Sequence, residues 1–149
     1  VHSLSKRSNF AGARLGFYGG DPDLVHYLRE VRKHVGMMVP GPVQAAGAIL
    51  LGDDAHVEAQ RARYRRRLEL GVAILAKLGI EAQLPEGGFY LWVPAPDGDA
   101  WALTAHLART AGMLVSPGEF YGRAGASHVR VALVQPDAQM ALIARRVGL

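Results

Sequence analysis

Glycine and proline divide this chain into short pieces, and that punctuation limits what it can fold into more than any other feature. Eighteen glycines and eight prolines fall among 149 residues, and those that bear on the fold stand where an apolar pattern stops. The opening twenty residues, VHSLSKRSNFAGARLGFYGG, read as a strand end over 1–6 running into a loop, then a second short strand over 13–18 closed by Gly19-Gly20. Asp21 and Pro22 open a helix whose Leu24, Leu28, Val31 and Val35 recur at helical spacing and are expected to face a core; Gly36 ends it. Pro42 opens a short helix over 43–51, stopped by Gly52. A longer helical pattern covers 53–78, with Asp53 or Asp54 as its cap, Gly79 as its stop, and Val57, Tyr64, Leu68, Leu75 and Leu78 as its stripe. Beyond it, strands predicted at 81–84, 89–93, 113–115 and 129–134 alternate with helices at 101–111 and 137–147. Pieces of this length, without long crossovers between all the strands, make helices packed on a small sheet, an α+β arrangement.

The composition suits a chain that buries a core: 50% of the residues are hydrophobic, 20% charged and 7% aromatic. The absence of cysteine excludes a disulfide scaffold and any cysteine-based metal site. The six histidines lack the i, i+4 spacing with a carboxylate that a zinc site needs, so no metal is expected. No apolar run approaches a bilayer span, and the expected location is the cytoplasm, with no membrane partner. The net charge of +4 is modest, although Arg61, Arg63, Arg65, Arg66 and Arg67 crowd five arginines into seven residues. A basic helix can bind nucleic acid phosphates. Here Glu58 and Glu69 share the helix and no groove-reading motif accompanies it, so a solvated face or salt bridges to another lobe is the preferred reading. The chain begins at Val1 without a targeting pattern, and the expectation is a processed chain or a piece of something longer.

The chemistry concentrates near the start. Ser3, Ser5 and Lys6 are followed by Asn9, Gly12, Arg14 and Gly16. A lysine becomes a nucleophile toward carbonyls when burial or a nearby cation lowers its pKa. The planar fork of Arg14, brought back past Gly12, suits a phosphate, and the hydroxyls of Ser3 and Ser5 could donate to the same oxygens. Such a set is what a pyridoxal phosphate site requires. On spacing alone, a surface loop carrying an ordinary Lys and Arg remains the first reading. Further on, Arg130 interrupts the apolar alternation of Val129, Val131 and Leu133 and so points away from their face, toward an anion or an exposed salt bridge. Gly87-Gly88 before Phe89 permits close approach of the backbone to a ligand, or a tight turn with a core Phe. Ser116-Pro117-Gly118 and Tyr121 read either as a substrate-side loop or as a simple turn.

SLSKRSNFAGARLGF resembles the S-x-S-K-x-x-N-x-x-G-x-R-x-G signature of class I, fold type I, pyridoxal-phosphate aminotransferases. The resemblance continues in order through GDPDLVHYLREVRKHVG, MMVPGPVQAA, PEGGFYLW, SPGEFYG and HVRVALVQP, and so spans nearly the whole chain. It implies an α/β fold of fold type I, with the C-terminal elements of the large cofactor domain over 1–60 and the α+β small C-terminal domain over 61–149. Lys6 would then join the aldehyde of pyridoxal 5'-phosphate and move the proton between the substrate Cα and C4′. Arg14, Ser3 and Ser5 would hold the phosphate. Arg130 would bind the substrate α-carboxylate, with Gly88 and Phe89 nearby on the substrate side. Met37 and Met38, which otherwise read as core methionines, would lie near a two-fold interface of a homodimer.

The resemblance also implies an N-terminal part of the same enzyme, which would supply the remaining cofactor contacts. Without it the 149 residues are expected to be inactive and poorly soluble. The wording of the segments looks most like bacterial succinyldiaminopimelate aminotransferases of lysine biosynthesis, whose substrates would be N-succinyl-2-amino-6-oxopimelate and glutamate. Open alternatives are an aspartate-, aromatic- or kynurenine-type aminotransferase, a pyridoxal-phosphate C–S lyase, and a non-catalytic basic binding module.

Overall fold

In the computed structural model, which describes residues 1–149, the chain opens on two very short strands, β1 (His2–Ser3) and β2 (Gly16–Phe17). They pair antiparallel, His2 opposite Phe17 and Ser3 opposite Gly16. The ladder is close because position 16 carries no side chain: a Cβ there would stand 2.6 Å from the His2 carbonyl oxygen. Between the strands the chain makes a helical turn, α1 (Leu4–Arg7), and a 3-10 turn over Ala11–Ala13. Residues predicted as strand end and loop are thus partly helical, because the Ser3 hydroxyl accepts from the Ser5 N–H at 3.1 Å and caps the turn.

Two helices follow, α2 (Pro22–His34) and α3 (Gly41–Leu51). Asp21 caps α2 by accepting from the Asp23 and Leu24 N–H groups, both at 3.0 Å, and Gly36 follows the helix at φ 74°. The expectation that the stripe of α2 faces a core is corrected. Leu24, Leu28, Val31 and Val35 are all exposed, as are Met37 and Met38, which read from the sequence as core methionines. Spacing shows that a helix has an apolar face; it does not supply the element that covers it. On α3, Gly47 is buried where a Cβ would collide with the Leu15 side chain and come within 3.3 Å of that of Leu4.

The chain divides into two compact units, Val1–Gln60 and Arg61–Leu149, and α4 (Ala55–Lys77) runs through the division. In the second unit, β3 (Tyr90–Pro94), β4 (Ser116–Pro117) and β5 (His128–Ala132) form an antiparallel sheet in the order β3-β5-β4. Leu91 and Val93 of β3 and Val129 and Val131 of β5 turn to one face. There they join Leu68, Ile74 and Leu75 of α4, Leu103 and Leu107 of α5 (Ala100–Ala111) and Met140 of α6 (Asp137–Arg146) in one buried core. Asp99 caps α5 through the Trp101 and Ala102 N–H groups, and Gly112 ends it at φ 71°. Two predicted strands are corrected. Residues 81–84 are irregular, and the strand expected at 113–115 lies at Ser116–Pro117, since β5 offers β4 partners only at Arg130 and Val129.

Candidate active site

The lysine–arginine segment is built around one anchor. Leu4 is 1% exposed and its side chain lies against the surface left open by Gly47. Residues two apart on a helix point about 200° away from each other, so burying Leu4 turns Lys6 outward. Arg7, which sequence reasoning passed over, fastens the turn from its other end. Its guanidinium donates to the Leu50 carbonyl at 2.8 Å, to the Ser8 hydroxyl at 3.1 Å and to the Asp54 carboxylate at 2.5 Å. No local signal marks Arg7, because two of these partners are more than forty residues away in sequence.

Ser3, Ser5, Lys6 and Arg14 therefore belong to one β1–α1–β2 motif of fewer than twenty residues. The hydroxyl proton of Ser3 stays free to donate, because the bond to Ser5 uses its oxygen as acceptor. Arg14 holds a left-handed backbone, φ 55° and ψ 44°, uncommon outside glycine, and donates to the Ala11 carbonyl at 3.0 Å. The residue as a whole is exposed. The left-handed positions of this turn are Asn9 and Arg14; Gly12, expected to turn the chain back, has no positive φ and nothing near its Cβ position. An open hollow of about 1040 Å³ has Arg14, Gly16, Tyr18 and Met38 on its wall, and Lys6 is outside it. As chemistry, a solvent-facing amine, two hydroxyls and a guanidinium fit a phosphate-bearing aldehyde.

Arg130 stands in the Arg61–Leu149 unit, on the middle strand β5 and on the face opposite the core. Trp92 of β3 and Ser116 of β4 are its cross-strand partners. Its Cζ lies over two aromatic rings, 4.5 Å from the centroid of Tyr90 and 4.4 Å from that of Tyr121. Its Nε is buried without a hydrogen-bond partner. Gly88 adopts φ 86°, which favours glycine, and Phe89 packs its ring 4.9 Å from Tyr64 and 4.5 Å from Tyr90. The Phe89 carbonyl accepts from the Leu133 N–H at 3.0 Å, which extends the β3–β5 pairing past β3. Tyr90 is a site residue that sequence reasoning missed. Its signal was the alternation that sets it with Trp92 against Leu91 and Val93. The basic run on α4 contains ion pairs: Arg65 to Glu69 at 2.7 Å and Arg67 to Asp137 at 2.6 Å.

The family model "Aminotransferase class I and II" matches residues 1–147. This chain belongs to that family. Its members are pyridoxal-phosphate enzymes, and the fold is fold type I, of which this chain forms a mixed α/β part. A relative from Streptomyces rimosus, 4-dedimethylamino-4-oxo-anhydrotetracycline transaminase OxyQ, is 47% identical over 99% of this chain and 40% of its own. LL-diaminopimelate aminotransferase of Syntrophobacter fumaroxidans is 34% identical over 89% of this chain and 34% of its own. The crystal structure of an aminotransferase from Neisseria meningitidis superposes with a TM-score of 0.85 at 35% identity, over 97% of this chain and 38% of that one. The chain thus spans about 40% or less of the length of these relatives. No helix of the aminotransferase chain is long and apolar enough to cross a membrane.

Proposed function

We propose that this chain is the C-terminal part of a transaminase that moves an amino group between an amino acid and a 2-oxo acid. Val1–Gln60 would be the end of its large cofactor domain and Arg61–Leu149 its small domain. The observation that carries the reading is Arg130: a guanidinium with a buried, unpartnered Nε and no acidic partner, as a residue reserved for a substrate carboxylate should be. Bound pyridoxal phosphate supplies the electron sink that stabilises negative charge at the substrate Cα. Lys6 is the residue that would hold the cofactor aldehyde and would serve as the acid–base group at the substrate Cα. Arg14, Ser3 and Ser5 would hold the phosphate oxygens. Arg130 takes the α-carboxylate through two parallel N–H groups and so aligns the Cα–H bond for proton removal, with Gly88 and Phe89 bounding the substrate's side of the small domain.

The remaining partners in this proposal are the N-terminal part of the same enzyme and a second copy in a cytoplasmic homodimer. The substrate reading taken from the sequence, N-succinyl-2-amino-6-oxopimelate with glutamate, is part of it. The diaminopimelate aminotransferase named above supports that class at 34% identity. The 47% identity to a transaminase named for a 4-oxo-anhydrotetracycline supports a bulkier, polycyclic ketone substrate as the second reading. The test is borohydride reduction of the full-length enzyme with pyridoxal phosphate, peptide mapping, and an amino-donor panel that includes both classes. Label on Lys6 and transfer to 2-oxoglutarate are expected, and both are lost in Lys6→Ala. Label on another lysine, or release of a thiol in place of amino transfer, would overturn the reading.

A further inference from the structure

Arg130 differs from the chain's paired arginines in what surrounds it. Arg7, Arg65 and Arg67 each meet a carboxylate. Arg130 meets two phenol rings, and neither ring can accept its in-plane N–H groups in the way an oxygen can. The rings come from different sides. Tyr90 is on β3, and Tyr121 follows β4 in a 3-10 turn over Gly118–Tyr121; β5, with Arg130, runs between those strands. The cation is therefore partly stripped of water, and its Nε is buried with no hydrogen-bond partner.

The loop bearing Tyr121 is itself fastened. Gly118 and Gly125 pack backbone against backbone: a Cβ on Gly118 would overlap the Gly125 carbonyl and stand 2.7 Å from Cη2 of Trp92. Trp92 in turn meets Tyr121 edge-on at 6.1 Å and stacks on His128 at 5.4 Å. On the other side Tyr90 is backed by Phe89, and Phe89 by Tyr64. A row of aromatic contacts thus backs each of the two rings that meet the guanidinium.

We infer that Tyr90 and Tyr121 are positioning residues that hold Arg130 as a preformed, edge-open fork for a planar carboxylate. The inference rests on the transaminase reading for its ligand and adds what makes the fork work. A free arginine would lose rotamer freedom on binding; here the rings have already removed it, so binding keeps that free energy. The same enclosure weakens competition from water for the N–H edge. Removing a ring should therefore weaken carboxylate binding and leave the chemistry of proton transfer at Lys6 alone.

The test uses the full-length enzyme. Calorimetry measures the Kd of glutarate, a dicarboxylate that cannot be transaminated, alongside KM and kcat for amino donor and 2-oxo acceptor. Tyr121→Leu and Tyr90→Leu are each expected to raise Kd and both KM values about three- to tenfold, with the loss on KM and not on kcat. Tyr121→Phe and Tyr90→Phe, which keep the rings, should recover most of the affinity. Three results would overturn the inference: unchanged Kd with only a lower Tm, a loss confined to kcat, or phenylalanine variants as weak as the leucine ones. Turnover by the unaltered enzyme is scored first, so a failure of the transaminase reading is distinguishable from a failure of the ring contacts.

Discussion

Arg7 and Arg130 are both partly buried cations, and their partners differ in kind. Arg7 is spent on structure: a carbonyl, a hydroxyl and a carboxylate take its N–H groups. Arg7→Ala is expected to lower stability by about 1–3 kcal/mol and to loosen the turn that presents Lys6, which denaturant melts and proteolysis after residue 6 would register. Arg130 has a buried Nε with no hydrogen-bond partner; under the proposed role in binding a substrate carboxylate, Arg130→Lys should raise KM for donor and acceptor by about tenfold or more, since a point charge does not replace a bidentate fork. A third residue sets a pH response. The His56 ring bonds Asp53 at 2.9 Å, and this hydrogen bond, the largest cause, holds the Asp53 carboxyl below its ordinary range. Its contribution to the start of α4 is present above the unfolded carboxyl range and disappears as pH falls through the lower folded value. Asp53→Ala is expected to depress Tm at neutral pH and by progressively less in acid, measured by circular dichroism.

At the level of elements, close approach is decided by missing side chains and filled by branched ones. α4 meets the end of the sheet at Gly71, where a Cβ would strike the buried Leu133 side chain. Gly71→Ala trades better helix propensity for overpacking, and the expected net loss is about 1–3 kcal/mol by urea unfolding. Leu107, on the inner face of α5, is fully buried, and Leu107→Ala should cost about 2–5 kcal/mol in the same assay. A smaller loss at Leu107 would mean that α5 can settle into the space. α2 presents the opposite case, a helix well capped and well patterned whose apolar side stays exposed.

Across the whole chain the apolar burial is uneven. Seventeen buried residues make the core of Arg61–Leu149, whereas Leu4 is the one buried large apolar side chain of Val1–Gln60. In that first unit Leu24, Tyr27, Leu28, Val31, Val35, Met37 and Met38 are exposed together on α2 and the loop after it. Contiguous apolar surface of this kind drives association. Expressed alone, the 149 residues are expected to self-associate in light scattering, and Leu28→Gln with Val31→Gln should shift them toward monomer. A monodisperse 16.0 kDa species without those substitutions would contradict this.

Sequence determined what depends on neighbours within a few turns of chain. Asp21, Pro22, Gly36 and Gly52 bound α2 and α3 because capping and backbone freedom are local properties. Val129, Val131 and Leu133 define the buried face of β5 because strand side chains alternate strictly. The spacing of Lys6 and Arg14 was legible for the same reason, being a short motif. Tertiary structure alone decided the rest. Whether an apolar stripe is covered depends on another element, and the stripe of α2 stays exposed on that account. The register that sets Trp92 opposite Arg130 joins residues nearly forty positions apart, and with it come the rings of Tyr90 and Tyr121. No local pattern encodes such a pairing, because it is selected by the free energy of the whole core that the two strands share.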